Sequence, residues 1–133
     1  MNMDRYITPL FLFAGFMNVG GVMLFSHALT SNALGEQYPE VMGKFGLVVV
    51  MLWGLAYWSV ARTPAKVPAL LLVFTVEKAV YVASWVHWMF HHGNMLDALW
   101  ASDPQTAIFF VIYGPNDFVF GLVFAWFWWK RPR

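Results

Sequence analysis

The sequence lacks cysteine and is poor in charge. Without cysteine, the chain forms no disulfide, thiolate nucleophile or cysteine-ligated zinc or iron–sulfur centre. Charged residues make up 11% of its 133 residues, whereas a typical soluble domain has about 25%. Such a small number of charges cannot cover a water-soluble fold of this size. The net charge of +1 also excludes a basic surface for nucleic acid.

Apolar residues are abundant instead: 60% of the chain is hydrophobic and 20% is aromatic. This content excludes a disordered chain and predicts that the lipid bilayer surrounds the protein. Roughly 20 mostly apolar helical residues cross a hydrocarbon core of about 30 Å. Four stretches meet that requirement, at residues 7–29, 45–61, 67–90 and 105–129. We therefore expect one all-α domain over residues 1–133, an up-down bundle of four transmembrane helices.

Prolines next to polar residues mark helix starts. Thr8-Pro9 predicts the N-cap and first turn of the first helix, and Asp103-Pro104 predicts those of the fourth. Gly114-Pro115 predicts that the fourth helix bends or opens near its middle, because proline has no backbone N–H to donate. Interrupted helices beside charged groups are a recurrent layout of membrane binding sites.

The cations are unequally distributed between the two ends of the predicted bundle. One end receives Arg5, Arg62, Lys66, Lys130, Arg131 and Arg133, whereas the other receives only Lys44. The positive-inside rule then predicts that both termini are cytoplasmic. A cleaved signal peptide is the alternative for the first helix. Its apolar run is about twice the usual length of a signal-peptide core, so we expect an uncut helix.

Three residues of the Asp, Glu, Lys and Arg types fall inside the predicted spans: Glu77, Lys78 and Asp117. Glu77 and Asp117 lie roughly 15–18 Å from the cytoplasmic helix ends, and Asn18 shares that depth. An acid or lysine at mid-span costs about 2.5–3.5 kcal/mol, so these side chains should face inward and pair. Neighbours in sequence diverge by about 100° around a helix, so Lys78 should pair with Asp117. Glu77 is then left for Asn18, Tyr57, Tyr81 or a proton.

A polar stripe on the third helix predicts the wall of a cleft. Its members share one face and reach from the bilayer midplane to the outer surface: Glu77, Tyr81, Ser84, Trp88 and His91. We expect a midplane pocket with Glu77 and Asp117 as polar anchors and Lys78 as the neutralising partner. Its predicted residues are Glu77, Lys78, Asp117, Asn116, Asn18, Tyr81, Trp85 and Trp88. The alternative is a buried ion pair that only sets helix register.

The histidines offer a second site hypothesis. His87 and His91 are spaced to share a metal on one helix face, and His27 lies at a similar depth in the first helix. The alternative is that these imidazoles bind headgroups, water and nearby acids. We expect the alternative, and therefore no metal and no cofactor.

Three segments carry a family resemblance: FAGFMNVGG in the first helix, VEKAVYVASW in the third and GPNDFVFGLVF in the fourth. Together with the four-helix layout, they resemble the small bacterial DoxX-like and BphX-like membrane proteins. The resemblance implies a multi-pass protein of the bacterial inner (plasma) membrane. It assigns no catalytic residue.

These observations predict an integral membrane protein whose polar pocket binds or passes a small amphipathic or apolar molecule. One alternative is an accessory subunit that assembles with itself or with another membrane protein. Another is a membrane-embedded isomerase, or a haem- or metal-dependent oxidoreductase, that uses Glu77 or the histidines. The sequence leaves open whether the protein is an enzyme.

Overall fold

The computed structural model describes residues 3–132, which contain helices and turns but no strand. Seven α-helices follow in chain order: α1 (Asp4–Phe25), α2 (Ala33–Gln37), α3 (Pro39–Met42), α4 (Lys44–Val60), α5 (Pro68–His92), α6 (Leu96–Ser102) and α7 (Pro104–Lys130). The predicted all-α class is confirmed. Arg133, which the charge argument counted among the cytoplasmic cations, lies outside the described residues.

Three helical segments are long and apolar enough to cross a membrane: Asp4–Phe25, Pro68–Ser102 and Pro104–Lys130. Helix α4 is also apolar but has only 17 residues. Large apolar side chains face outward along the middle of the long helices, among them Leu12, Phe16, Val76, Val80, Phe118 and Leu122. An exposed apolar surface of this extent suits lipid rather than water.

The two predicted helix starts have different outcomes. Helix α1 begins at Asp4, so Thr8-Pro9 is not its cap, and Pro9 lies inside the helix. The acidic residue in the first turn instead complements the positive end of the helix dipole. The fourth predicted helix does begin at Pro104, and the Asp103 side chain accepts a hydrogen bond from the Thr106 N–H at 3.3 Å.

The end of α1 also differs from the prediction of residue 29. The helix stops at Phe25, because residues 27–29 all have positive φ, with values of 50°, 56° and 67°. The Ser26 hydroxyl stabilises this left-handed turn by donating to the Val22 carbonyl at 2.5 Å and accepting from the Leu29 N–H at 2.9 Å. A hydrophobic run alone did not reveal this turn.

The remaining boundaries lie close to the predicted ones. Helix α4 starts at Lys44 after a break at Gly43, whose backbone is extended at φ −62° and ψ 170°. Helix α7 continues through Pro115 without interruption. Of the two predicted outcomes, a bend or an opening, the continuous helix excludes the opening: Pro115 removes one backbone hydrogen bond, and α7, which packs along α5, remains helical on both sides of it.

Helix α1 packs along α4, and α5 packs along α7. Each pair is closed by a tryptophan that lies across a glycine. Trp58 of α4 covers Gly15 of α1, and Trp85 of α5 covers Gly114 of α7; a Cβ on either glycine would overlap the indole ring. Both indole N–H groups donate to a backbone carbonyl of the facing helix, at 2.9 Å and 2.6 Å. Small residues thus allow the close approach within each pair.

Buried apolar side chains form two clusters. The terminal core lies at the end where α1 begins and α7 ends, and it contains Ile7, Phe11, Ala14, Tyr57, Ala61, Leu71, Phe74, Phe120, Phe124 and Phe127. The loop core lies at the other end and includes Val22, Leu34, Tyr38, Met42, Leu47, Trp88, Leu99, Phe109, Phe110 and Tyr113. Helices α1, α4, α5 and α7 each contribute residues to both clusters. The first core residues of α1 and α5 lie in the terminal core and those of α4 and α7 in the loop core, so consecutive members of this set run in opposite directions.

Candidate functional site

Polar groups lie between the two apolar clusters, among them the hydroxyl of Tyr57, whose ring belongs to the terminal core. We call this set the polar layer; it contains Asn18 of α1, Tyr57 of α4, Glu77 and Lys78 of α5, and Asn116 and Asp117 of α7. Its ionisable members are nearly inaccessible, with exposures of 6% for Glu77, 1% for Lys78 and 7% for Asp117. Charged groups at that burial depend on one another for stabilisation, because water is largely excluded.

Lys78 is the centre of the polar layer. Its Nζ lies 2.8 Å from Asp117 Oδ1 and 3.3 Å from Asn18 Oδ1. Asn18 in turn donates from Nδ2 to the Val50 carbonyl of α4 at 3.0 Å. Asp117 Oδ1 also accepts from Asn116 Nδ2 at 3.1 Å. The structure therefore brings Lys78 and Asp117 together, as the helix-face argument predicts.

Close helix approach makes this pairing geometrically feasible. Gly121 of α7 faces Lys78, and a Cβ at Gly121 would lie 3.2 Å from the Lys78 Cβ. The absence of a side chain there lets the lysine stem lie against α7 one turn from Asp117. The Lys78 Nζ also lies 5.2 Å from the centre of the Tyr57 ring, within cation–π range.

Glu77 is only half satisfied. Its Oε2 accepts a hydrogen bond from the Tyr57 hydroxyl at 2.5 Å. Its Oε1 is buried and has no hydrogen-bond partner among residues 3–132. A buried acceptor without a donor costs about 1–3 kcal/mol, so a stable fold retains one only where another group or water completes it.

A central cavity of about 50 Å³ borders the polar layer. Of the predicted site residues, it is lined by Asn18, Glu77, Lys78, Tyr81, Asn116 and Asp117. That volume holds water, whereas pockets for small organic molecules measure about 300–1,000 Å³. Tyr113 also lines the cavity, and sequence reasoning missed it. Its position one turn before Asp117 on the same helix face is the signal that could have found it.

Two larger grooves reach the polar layer from outside the bundle. The α4/α5 groove has a volume of about 340 Å³ and is lined by Trp53, Val73, Val76, Glu77, Val80 and Tyr81. The α5/α7 groove has a volume of about 350 Å³ and is lined by Lys78, Asp117 and apolar or small residues, including Ala79, Ala83, Phe118, Gly121 and Leu122. Both volumes fall in the range of small-molecule pockets. Glu77 lines the first groove, whereas Lys78 and Asp117, which form the ion pair, line the second.

Trp85 and Trp88, predicted to form the pocket wall, do not line the cavity or either groove. Trp88 is fully buried in the loop core, where its ring stacks 4.4 Å from Phe110 and its Nε1 donates to the Gln37 carbonyl at 3.0 Å. Trp85 instead packs on Gly114. Within the predicted stripe, Trp88 therefore contributes to the packing of the loop core.

The histidines lie at the loop end. The rings of His87 and His91 are 4.4 Å apart between centroids, and His27 lies in the left-handed turn. Within residues 3–132, no group of three or more His, Asp or Glu side chains is arranged to hold a metal ion. His87 borders a polar cleft with Tyr38 and Glu40. Burial, and then the charge of Glu40, raise the pKa of Tyr38 above its ordinary value.

Comparison of the chain with protein-family models, with curated proteins and with solved structures finds no match. The resemblance to DoxX-like proteins stays a prediction.

Proposed function

We propose that this protein is a multi-pass membrane protein that binds a small amphipathic molecule at the polar layer. The polar head of the ligand would bind Glu77, and its apolar part would occupy the α4/α5 groove. The observation that carries the proposal is that the buried Glu77 Oε1 has no donor within the described chain, while Glu77 itself lines a groove open to the outside. An acceptor so placed is suited to a donor that arrives with a ligand.

The volumes support this placement. The central cavity of about 50 Å³ is too small for the ligand itself. The α4/α5 groove, at about 340 Å³, accommodates an apolar chain or ring beside Val73, Val76 and Val80. Because the groove opens on the apolar outer surface of the bundle, the ligand would reach it from the hydrocarbon of the bilayer.

The membrane placement belongs to the same proposal. Helix α4 has 17 residues, the lower limit for a transmembrane helix of roughly 25 Å, so we propose four spans. The positive-inside rule would place the end with Arg5, Arg62, Lys66, Lys130 and Arg131 in the cytoplasm. The family resemblance supports a bacterial inner membrane.

The contacts assign different roles to the two acids. Asp117 is paired with the Lys78 ammonium at 2.8 Å and also accepts from Asn116 at 3.1 Å, both at Oδ1, so we propose that it stabilises the α5–α7 pair. Glu77 has a free acceptor and is proposed to bind the ligand. This division revises the expectation that both acids anchor the ligand.

Native mass spectrometry of the full chain, purified in mild detergent, tests the proposal. We expect a small-molecule adduct that is retained by the wild type and by Asp97→Asn, a matched change at an exposed carboxyl, and lost in Glu77→Gln. Adducts of equal abundance in all three proteins, or none in the wild type, would contradict it. A stoichiometric protein partner without any adduct would favour the accessory-subunit alternative.

A further inference from the structure

We infer that the ligand carries a positive charge: it is a lipophilic ammonium compound that competes with a proton for Glu77. The inference rests on the proposed function, because it names the chemical class that the α4/α5 groove would select.

The charges of the polar layer do not balance. It contains two carboxyl groups, on Glu77 and Asp117, but only one ammonium group, on Lys78, among the residues that the structure describes. Lys78 lies 2.8 Å from Asp117 Oδ1, and its second contact is the Asn18 amide rather than Glu77. Glu77 is therefore the carboxyl that still needs a positive charge when it is ionised, because an uncompensated buried charge is costly.

The groups facing Glu77 do not supply that charge. The titratable or charged side chains around it are Tyr57 from α4, Lys78 and Tyr81 from α5, and Tyr113 and Asp117 from α7. Helix α1 contributes Asn18, which does not titrate. The tyrosines are neutral donors at physiological pH, and Lys78 is engaged with Asp117. Two neutralising agents are left, a proton from water or a cation from outside.

The α4/α5 groove matches an organic cation better than a hydrated ion. Four of its six lining residues are Trp53 or valines, and a fifth is Tyr81. An apolar wall suits an alkyl or aryl group, and the indole and phenol rings attract an ammonium group through their π faces. The N–H groups of that ammonium can donate to Glu77 Oε1, whose partner is missing.

Proton and ligand would exclude each other. Binding of the ammonium to ionised Glu77 releases the proton to water, and protonation of Glu77 removes the charge that holds the ammonium. Affinity should therefore fall as pH decreases, by up to about tenfold per pH unit once Glu77 is mostly protonated. An alkylammonium resembles lysine, with a pKa of about 10.4, so the ligand itself stays charged near neutral pH.

The test compares octylamine with octanol, which differ in the charge of the head group. Equilibrium dialysis measures binding of each radiolabelled compound to the full chain in nanodiscs, with empty nanodiscs subtracted, between pH 5 and pH 8. We expect saturable octylamine binding that weakens toward pH 5, and much weaker binding of octanol at every pH. Equal, pH-independent binding of both compounds would overturn the cation inference but leave the proposed function intact. Binding of neither compound would overturn the cation inference. The adduct experiment decides the proposed function separately.

Three variants test whether octylamine binds at Glu77 in the α4/α5 groove. Glu77→Gln should weaken octylamine binding by at least about thirtyfold and abolish its pH dependence. Val80→Trp, which fills the α4/α5 groove without changing charge, should block binding and keeps the test valid if the Gln variant misfolds. Leu122→Trp makes a matched change in the α5/α7 groove and should bind like the wild type. Loss of binding in Leu122→Trp but not in Val80→Trp would refute the assignment to the α4/α5 groove.

Discussion

Replacing Lys78 with methionine removes the ammonium group from the polar layer and keeps a side chain of similar shape. The change leaves Asp117 without its 2.8 Å partner and Asn18 Oδ1 without its 3.3 Å donor. It also leaves two buried carboxyl groups with no cation between them. We therefore predict that Lys78→Met strongly destabilises the bundle.

The magnitude follows from the distance and burial of the pair. At 2.8 Å and an effective dielectric constant of about 20, the attraction is roughly 6 kcal/mol, of which desolvation offsets a part. Removing one partner of a buried pair costs about 3–5 kcal/mol, because the other charge stays buried. Replacing both partners with apolar residues, in Lys78→Met/Asp117→Leu, should cost clearly less than Lys78→Met alone.

Unfolding in mixed detergent micelles, followed by circular dichroism, measures these free energies in the four proteins of the double-mutant cycle. Lys44→Met, at an exposed lysine, is the matched control and should change stability by less than about 0.5 kcal/mol. A loss below about 1 kcal/mol for Lys78→Met, or a double variant as unstable as the sum of the single ones, would refute the proposed structural role.

Two further changes test how the helices are held. Gly114→Ala should destabilise the protein by about 1–3 kcal/mol in the same assay, because the new Cβ overlaps the Trp85 ring. The control Gly21→Ala should leave stability unchanged, because nothing lies within 4 Å of its new Cβ. Equal losses of stability in the two variants would contradict the glycine–tryptophan contact. Trp88→Phe removes the 3.0 Å hydrogen bond to the Gln37 carbonyl and should lower stability by about 1 kcal/mol or more. Backbone hydrogen exchange in residues 33–42, which form α2 and α3, should become faster. Unchanged exchange there would show that this bond does not hold α2 and α3 in place.

Periodicity and charge predicted much of the fold and part of the site. The apolar runs identify the long helices to within a few residues, and the cost of burying charge predicts that Lys78 meets Asp117. The left-handed turn at residues 27–29 was not predictable, because it depends on the Ser26 hydroxyl bridging two backbone groups rather than on hydrophobicity. The sequence also left open whether α7 bends or opens at Pro115; in the structure it does not open, because losing one hydrogen bond does not by itself interrupt a long packed helix.

The sequence by itself indicated a membrane protein and identified the charged residues that lie inside its apolar helices. Only 11% of the residues are charged, and three of them lie inside apolar helices. Because burying charge is costly, these three residues mark the candidate site. Only the tertiary structure decided which of the three charged residues pair with each other, because pairing depends on which side chains meet across helices. Lys78 is satisfied by Asp117 and Asn18, whereas Glu77 keeps one buried oxygen without a donor in the described chain. That difference arises from three-dimensional distances, which sequence spacing along one helix does not contain.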